Sequence, residues 1–350
     1  MFSCPKIKDL DVSGKIGLVR VDLDAVLDDQ VDPASNLRLR VIKPTVDFLF
    51  GSGALKLVLL AHYGRPEGVK IPELSLSRLV EPLEKVLGRK ISFVESLDFG
   101  EINNLVQKGD SGSVFLLENL RFWKGEEEND QEFGSFLASF GNFYVNEAFA
   151  SSHRSHASIV LLPKLLPSAI GLRFEKEIEN LSKLFENPSR PVVTIVSGTK
   201  KDKLEYLFGL ASFSDVVLIA GRFPDYLDDF SIYRKDNRFL VANLNPDKED
   251  ITIRSIELFE REIKRAKTIA LIGPIGKYED EGHRLGTKRV FESVANSSGF
   301  KVAGGGDTIK AIEMLGLSDK FDWISVGGGA TLEFLVKKTL PGIEAFATLE

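Results

Sequence analysis

The feature that most constrains this chain is a series of short apolar runs without polar alternation, separated by longer segments of helical period. In the first half the runs occupy residues 16–23, 55–62, 91–94, 113–120 and 143–149. In the second half they occupy residues 191–198, 216–221, 268–274, 300–306 and 323–329. Such runs are typical of strands buried on both faces, and their alternation with helices indicates βα units around a parallel sheet. The pattern therefore predicts an α/β fold with one layered sheet structure in each half.

The length of the chain predicts two domains, because 350 residues are too many for one ordinary core. Between the two series of strands lies a segment with apolar residues at helical spacing, Phe174, Ile178, Leu181 and Phe185. Pro188 follows and is expected to stop a helix. We therefore predict a connecting helix and hinge over residues 173–190, between a first domain of residues 1–172 and a second of residues 191–335.

Composition narrows the class of protein and its partners. Hydrophobic residues at 43% and charged residues at 27% describe a soluble globular protein, and no apolar run approaches the ~20 residues of a membrane span. The start lacks the apolar stretch of a signal peptide, and the single cysteine, Cys4, has no internal disulfide partner. We therefore expect a cytoplasmic protein with no membrane partner. Net charge is −6 with dispersed basic residues, which argues against nucleic acid as a partner.

Basic side chains follow three of the predicted strands in the first half. They are His62 and Arg65, then Arg121, then His153, Arg154 and His156. The carboxyl ends of parallel strands meet at one edge of a sheet, and a guanidinium can grip a phosphate or carboxylate with two hydrogen bonds. This pattern predicts a site for a small polyanion. The alternative is a set of separate surface arginines paired with carboxylates. His153 and His156 are also spaced as a metal pair, but no third ligand lies beside them, and zinc normally needs three or four.

These residues belong to strings that resemble the phosphoglycerate kinase family. The strings are VRVDLDAVL, SNLRLR, HYGRP, LENLRF with KGEEEND, NEAFASSHRSHAS, GLRFEKEIENLSKLFENPSRP, GPIGKYE, GTK, GGGDT, GGGATLE and LPGIEA. They follow family order from about residue 16 to 345, so the resemblance covers nearly the whole chain.

The resemblance implies an architecture and a reaction. The architecture is two Rossmann-like α/β/α domains of three layers with mostly parallel sheets, joined by a helix, with a C-terminal tail of about residues 336–350 packed on the first domain. The reaction is reversible phosphoryl transfer between 1,3-bisphosphoglycerate and ADP, giving 3-phosphoglycerate and ATP. A monomer is expected, since the family is usually monomeric.

On the acid side, the resemblance implies a 3-phosphoglycerate site made of Asp22, Asp24, Arg38, His62, Arg65, Arg121, His153 and Arg154. The resemblance also implies that Arg38 stabilises the phosphoryl group during transfer. Asp24 stands where the family usually has asparagine, and a carboxylate ~4 Å from a substrate anion would repel it by about 4 kcal/mol at an effective dielectric of 20. Nearby cations could offset this repulsion, or Asp24 could be protonated or turned toward Arg38.

Two glycine runs follow strands in the second half, and a P-loop pattern is absent. The first, residues 304–306, precedes Asp307 and Thr308; the second, residues 327–329, precedes a helix-like segment. Glycine at a strand-to-helix turn lets a phosphate approach the backbone and the helix N-terminus, although a plain tight turn would explain either run alone. An acidic Asp307 at such a place is explained by a Mg²⁺ ion between it and the phosphates.

The family resemblance implies that the two glycine runs and Asp307 belong to a nucleotide site. Glu279 is expected to bond the ribose and Lys200 the phosphates, although Lys200, Lys201 and Lys203 could be a solvated charge run. The implied catalytic residues are Arg38, Lys200, Gly306 and Gly329. The implied residues for ATP or ADP are Lys200, Lys203, Gly221, Gly273, Pro274, Glu279, Gly304, Gly305, Gly306, Asp307 and Thr308, with Asp307 serving Mg²⁺.

Departures from the family pattern concentrate on the nucleotide side. The lysine loop SGTKKDK is one residue shorter and begins with Ser197 where the family has glycine. Arg222 replaces a glycine, Ile272 replaces an asparagine, and only about fifty residues separate Gly221 from Gly273. The leading hypothesis is an active, compact kinase that closes about its hinge for in-line transfer. The alternatives are a non-catalytic relative that keeps an anion-binding lobe, and a kinase with another nucleotide or acid preference.

Overall fold

The structure is a computed structural model that describes residues 4–24, 36–227, 233 and 235–347. The chain divides into two compact units. The first unit contains residues up to Glu177 and from Thr339 onward, and the second contains Ile178–Lys338. Each unit contains a six-stranded sheet. The predicted α/β class is confirmed, and both sheets are parallel throughout.

The sheet of the first unit has the strand order β3-β4-β2-β1-β5-β6. Its strands are β1 Ile16–Arg20, β2 Lys56–Leu60, β3 Ile91–Val94, β4 Val114–Leu117, β5 Phe143–Asn146 and β6 Ser168–Ile170. Every residue of the central strands β1 and β2 is buried, as expected for a sheet covered on both faces. The loops that leave β4, β2, β1 and β5 therefore emerge side by side.

Helices cover the sheet of the first unit. They are α1 Leu37–Arg40, α2 Lys43–Gly51, α3 Val80–Leu87, α4 Phe99–Lys108, α5 Lys124–Glu127, α6 Gln131–Ala138, α7 Ala157–Val160, α8 Leu162–Leu165 and the first half of α9 Leu172–Ser182, whose residues from Ile178 onward belong to the second unit. Short 3-10 turns occur at Ile7–Asp9, Pro72–Leu74, Leu76–Leu79, Leu120–Phe122 and Phe149–Ser151. In the C-terminal segment, the Gly342 N–H donates to the Ser152 carbonyl at 2.9 Å.

The sheet of the second unit has the order β12-β11-β10-β7-β8-β9. Its strands are β7 Val192–Val196, β8 Val216–Ile219, β9 Phe239–Val241, β10 Thr268–Ile272, β11 Phe300–Gly304 and β12 Trp323–Ser325. The chain runs outward from β7 to β9, then returns to β10 on the other side of β7. Such a reversal of strand order leaves a crevice at the carboxyl ends of the two central strands, where ligands bind in open α/β sheets.

The remaining helices are α10 Leu207–Ala211, α11 Phe223–Tyr226, α12 Ile253–Arg265, α13 Leu285–Ala295, α14 Gly306–Met314, α15 Gly329–Lys337 and α16 Pro341–Glu344. Further 3-10 turns lie at Lys201–Tyr206, Glu281–His283 and Ser318–Lys320. Across the described residues, none of the helices has both the length and the apolar character needed to cross a membrane.

Three details differ from the sequence prediction. Strands β6 and β9 were not predicted; each has three residues and lies at a sheet edge, too short to show a pattern. The helix predicted over residues 173–190 ends at Ser182. Asn187, just before Pro188, then takes a positive φ of 50°, a left-handed conformation that asparagine adopts more readily than most residues.

Candidate active site

The basic residues of the first unit lie at the carboxyl edge of its sheet, and we call the following set the acid cluster: Asp22, Asp24, Arg38, His62, Arg65, Arg121, His153 and Arg154. Asp22 and Asp24 follow β1, and His62 and Arg65 follow β2. Arg121 lies in the 3-10 turn after β4, and His153 and Arg154 come after β5. Arg38 lies in α1, whose first turn is capped by the Asn36 side chain, which accepts from the Arg38 N–H at 2.9 Å.

Residues of the acid cluster from different loops lie close together, because Asp24 accepts from the Gly64 N–H after β2 and Asp22 accepts from the Ala150 N–H after β5. Burial, followed by the charges of Arg20, Arg154, His156 and Arg38, holds the pKa of His62 well below its usual range. Burial and Arg65 lower the pKa of Arg154, while the carboxylates Asp24 and Asp22 act in the opposite direction. The structure therefore brings the residues after β1, β2 and β5 together with Arg38.

His62 is a neutral hydrogen-bond donor in this arrangement. Its Nδ1 atom lies 2.7 Å from Nη2 of the buried Arg20. A guanidinium can only donate, so Nδ1 must accept, and the ring proton resides on Nε2. The lowered pKa agrees with this neutral form.

Arg121 is buried rather than exposed, with 1% of its surface accessible. Its Nη1 donates to the Gly64 carbonyl, and its Nε lies 3.3 Å from Glu127. Within the described residues, Nη2 has no hydrogen-bond partner. The interpretation of these arginines as separate surface residues is therefore wrong for Arg121, because a buried guanidinium with an unused donor needs an anion or water to satisfy it.

The two acidic members are held by backbone donors. Asp22 accepts from the Ala150 N–H at 2.8 Å and from the Ser151 hydroxyl, which fixes the turn that precedes His153. The carboxylate of Asp24 accepts from the Gly64 N–H at 3.1 Å, whereas Arg38 donates to the backbone carbonyl of Asp24. Asp24 is thus tied to the loop that carries Arg65.

His153 and His156 face different partners. The Nδ1 of His153 donates to the Ala150 carbonyl at 2.9 Å, and its Nε2 lies 3.4 Å from Arg154 Nε. His156 points its Nδ1 toward buried Glu126 at 3.8 Å, and burial together with Arg20 lowers its pKa to about 4. Among the residues that the structure describes, no group of three or more His, Cys, Asp or Glu side chains could hold a metal ion.

The second unit contains a cavity of about 690 Å³ at the carboxyl edge of its sheet, which we call the nucleotide pocket. All eleven residues that the sequence assigned to nucleotide binding line it, namely Lys200, Lys203, Gly221, Gly273, Pro274, Glu279, Gly304, Gly305, Gly306, Asp307 and Thr308. Gly329 is not among the lining residues, although the neighbouring Gly328 is. The volume is that of a site for a drug-sized ligand.

One end of the nucleotide pocket is suited to phosphate. Gly305 has a φ of 112° and precedes α14, whose first turn has no side-chain cap. The uncapped N–H groups and the helix dipole favour an anion there. Gly306 and Asp307 of that turn are exposed. Thr308 is buried and joins two loops instead, since its hydroxyl donates to the Gly304 carbonyl at 2.9 Å and accepts from the Gly273 N–H at 2.8 Å.

Gly221 marks a close crossing of backbones in the nucleotide pocket. Its φ is 64°, and a Cβ atom there would lie 2.7 Å from the Gly198 nitrogen. Its N–H donates to the Ile275 carbonyl at 3.1 Å, and the next N–H, of Arg222, donates to Gly198 at 3.0 Å. The loops after β7, β8 and β10 are thereby pinned together, even though the neighbouring position carries Arg222.

Sequence reasoning missed part of the pocket wall. Arg222 forms ion pairs with Asp225 at 3.2 Å and Glu249 at 3.4 Å, and Arg222, Lys248 and Glu249 all line the cavity. Lys248 and Glu249 come from an irregular loop after β9. No sequence motif in this loop predicts that they line the pocket. Tyr278 also lines the pocket beside Glu279.

Sequence reasoning also missed Arg20 and Glu126, which lie fully buried beneath the acid cluster. For Arg20 a signal existed, since an arginine inside an otherwise apolar strand must have a specific buried partner.

Comparisons with known proteins agree with this geometry. A family model described as "Phosphoglycerate kinase" matches residues 7–227 and 228–338. A phosphoglycerate kinase of Dictyoglomus turgidum is 36% identical over an alignment of length 385 that covers 96% of this chain and 96% of the relative. A phosphoglycerate kinase of Helicobacter hepaticus is 33% identical over an alignment of length 392 that covers 98% of this chain and 97% of the relative. These alignments are longer than the chain, so the relatives contain segments that it lacks.

Two solved structures are similar along the whole chain. A phosphoglycerate kinase from Coxiella burnetii has a TM-score of 0.81 at 26% identity, covering 98% of this chain and 99% of the other. One from Pyrococcus horikoshii OT3 has a TM-score of 0.83 at 25% identity, covering 98% of each.

Proposed function

The chain belongs to the phosphoglycerate kinase family and transfers a phosphoryl group between 1,3-bisphosphoglycerate and ADP, and we propose which of its residues perform each part. The acid cluster of the first unit binds 3-phosphoglycerate, and the nucleotide pocket of the second unit binds ATP or ADP. The observation that carries this proposal is the grouping of all eleven assigned nucleotide residues around one cavity.

In the acid cluster, we assign anion binding to Arg38, Arg65, Arg121 and Arg154. Arg121 supports this role because its buried Nη2 has no partner within the described part of the chain. His62 donates from Nε2, since Nδ1 is occupied by Arg20. The substrate therefore meets four guanidinium groups and a neutral imidazole N–H.

In the nucleotide pocket, we assign the phosphates to the first turn of α14 and to Lys200 and Lys203, and the ribose to Glu279. The exposure of Gly306 and Lys200 leaves these donors accessible to a ligand. The unit supplies mostly backbone donors, as suits phosphoryl transfer, in which the protein positions charge rather than forming bonds.

The donor set fits Mg²⁺ that arrives with the nucleotide. Asp307 offers one exposed carboxylate beside the phosphate end, and the described residues form no metal cage of their own. Mg²⁺ usually binds through one or two carboxylates together with substrate phosphates. We propose that Asp307 holds this ion, which would neutralise phosphate charge.

Direct transfer requires the two bound ligands to meet in line. We propose that the units close about α9 to bring this about and to exclude water, with Arg38, Lys200, Gly306 and Gly329 surrounding the transferred group. We also propose that the protein is a monomer and that it is located in the cytoplasm. Small-angle scattering with and without both ligands tests closure, and light scattering tests the monomer.

The central test is a coupled assay with 3-phosphoglycerate and MgATP. We expect Arg38→Ala to lower kcat at least about 100-fold, since it removes a charged group from the transition state. Arg40→Ala is the matched control, because Arg40 is an exposed neighbour in the same helix, and its kcat should stay within about twofold. Wild-type activity no greater than that of Arg38→Ala would contradict the proposal.

A second candidate, a changed nucleotide preference, is favoured by the ion-paired wall of Arg222, Lys248 and Glu249. An arginine at the nucleoside end can recognise base acceptors that a glycine cannot. The test compares kcat/KM for MgATP and MgGTP in wild type and in Arg222→Gly. A ratio that moves toward ATP in the variant supports this candidate, and an unchanged ratio contradicts it.

Calorimetry with each ligand alone separates both candidates from a non-catalytic relative. Such a relative would bind 3-phosphoglycerate but not MgADP.

A further inference from the structure

A buried polar network lies beneath the acid cluster. Its members are Arg20 of β1, Glu126 of α5 and Ser158 of α7, and none of them has measurable exposure. A buried arginine is costly unless its charge is compensated and its donors are satisfied, so the arrangement of its partners is strongly constrained.

The hydroxyl of Ser158 joins the two charges. It accepts from Arg20 Nε at 2.9 Å and donates to Glu126 Oε1 at 2.6 Å. The Ser158 N–H also donates to Glu126 Oε2 at 2.9 Å, so both carboxylate oxygens are held by one residue. The direct distance from Arg20 Nη2 to Glu126 Oε1 is 4.0 Å. Ser158 is thus the bridge that orients both side chains.

The remaining donors of Arg20 leave it a single orientation. Nη1 donates to the carbonyl of Val21, and Nη2 lies 2.7 Å from His62 Nδ1. Fixing Nε with Ser158 therefore also fixes the plane in which Nη2 meets the imidazole. The orientation and tautomer of His62 follow from this contact.

We propose that Ser158 and Glu126 are positioning residues for acid binding, which fix Arg20 so that it presents His62 as a neutral donor from Nε2. Neither residue needs to touch the substrate. Burial and Arg20 act in the same direction, because both lower the pKa of His62. The proposal rests on the acid site assigned above.

The test uses Ser158→Ala, which removes the bridging hydroxyl and keeps both charges. Wild type at pH 7 should show, by ¹⁵N NMR of the His62 ring, a proton on Nε2 and an accepting Nδ1. In Ser158→Ala the Nδ1 signal should move, and KM for 3-phosphoglycerate should rise about tenfold, as for one weakened hydrogen bond to a charged group. KM for MgATP and kcat should stay within about twofold.

Tyr144→Phe is the matched structural control. The Tyr144 hydroxyl donates to the backbone carbonyl of Ser158 at 2.7 Å. Among the described residues it is not a hydrogen-bond partner of Arg20, whose bonds go to Ser158, Val21 and His62. Its loss should lower Tm by a few degrees while KM and the His62 signals stay unchanged. Glu126→Gln should raise KM as Ser158→Ala does; a lowered KM would mean that Glu126 acts by charge alone and would overturn its positioning role.

Wild-type KM and wild-type His62 signals in Ser158→Ala would overturn the proposal. If that variant does not fold, the wild-type spectrum decides, since a His62 proton on Nδ1, or on both nitrogens at pH 7, contradicts the network. Failure of wild type to bind 3-phosphoglycerate would instead refute the acid site, and the NMR measurement would still test the network.

Discussion

In the first unit the proposed ligand-facing groups include buried side chains, whereas in the second unit they are mainly glycine backbone and exposed side chains. Arg121 and His62 are only 1% and 4% exposed, while Lys200, Gly306 and Asp307 lie open to solvent. A site of the first kind depends on individual side chains and their buried partners. A site of the second kind depends on loop shape, so side chains can change while the backbone path is kept.

The departures from the family pattern follow this difference. Ser197, in place of a glycine, donates its hydroxyl to the Pro274 carbonyl, and its N–H donates to the Ile272 carbonyl at 2.8 Å. Both substituted positions therefore contribute to the loop geometry, Ser197 through its hydroxyl and its N–H, and Ile272 through its carbonyl.

The histidines show the same contrast. His156 in the first unit is buried, and its pKa is lowered to about 4. His283 in the second unit lies between the carboxylates of Asp280 at 2.8 Å and Asp247 at 3.0 Å, which raise its pKa. Burial therefore governs the pKa of His156, and surface ion pairing governs that of His283.

The largest expected effect comes from removing a buried cation of the acid cluster. Arg121→Met should raise KM for 3-phosphoglycerate about 100-fold, since the charge-assisted contact that its buried Nη2 offers the substrate is lost. KM for MgATP should stay within about twofold. Steady-state kinetics check this, with Arg289→Met as control because Arg289 pairs with Glu260 away from both sites. An equal loss in both variants would show that burial of Arg121 has no special role.

The sequence predicted the fold well where burial leaves a strong pattern. Strands such as β1 and β2 are buried along their whole length, so their apolar runs lack alternation and identify a parallel sheet. Strands β6 and β9 have three residues each, and no periodicity exists over such a length. The helix ending at Ser182 was overextended because apolar spacing continues to Phe185, past the point where the backbone turns.

The candidate site was predictable where residues follow strands directly. The eleven nucleotide residues lie in one cavity for this reason, and their individual roles stay predictions. Lys248 and Glu249 could not be found, because only the folded loop brings them beside Arg222. The pairing of Arg20 with Glu126 through Ser158 joins residues more than 30 positions apart, and no local pattern encodes it.

A pH titration of stability sharpens the contrast between the histidines. His156 has a pKa of about 4 when folded and 6.5 when unfolded, so its contribution is complete above pH 6.5 and is lost as pH falls toward 4. Between pH 7.5 and 5 it should lower the free energy of unfolding by about 2 kcal/mol. Urea unfolding of wild type and His156→Gln isolates this difference, because Gln does not titrate.

His283→Gln provides the opposite case. The raised pKa of His283 means that its contribution is present below pH 6.5 and is lost as pH rises through the folded pKa. Glu147, whose pKa burial raises to about 8, titrates in both variants and cancels from each comparison. Identical pH profiles for the two histidine variants would contradict the contrast.

Backbone dependence of the nucleotide pocket is tested at Gly221. Gly221→Ala should raise KM for MgATP about tenfold, since the left-handed conformation costs about 1 kcal/mol and the new Cβ meets the Gly198 backbone. KM for 3-phosphoglycerate should not change. Gly316→Ala is the matched control for Gly221→Ala, because Gly316 has a similar φ of 67° but open space around it. Gly316→Ala should lose a similar amount of stability but keep the wild-type KM for MgATP. A tenfold rise of this KM in both variants would contradict the role assigned to the backbone crossing at Gly221.

The smallest expected effect concerns Asp24, an exposed carboxylate among the cations of the first unit. In Asp24→Asn the amide oxygen can keep the bond from the Gly64 N–H, while the negative charge near the substrate is removed. Surface charges contribute about 1 kcal/mol or less, so KM for 3-phosphoglycerate should fall up to about fivefold. Asp47→Asn, which removes an exposed charge paired with Lys43, should leave KM unchanged. A higher KM in Asp24→Asn would show that this carboxylate accepts a hydrogen bond from the substrate. The arginines of the acid cluster could not make that contact, because a guanidinium only donates.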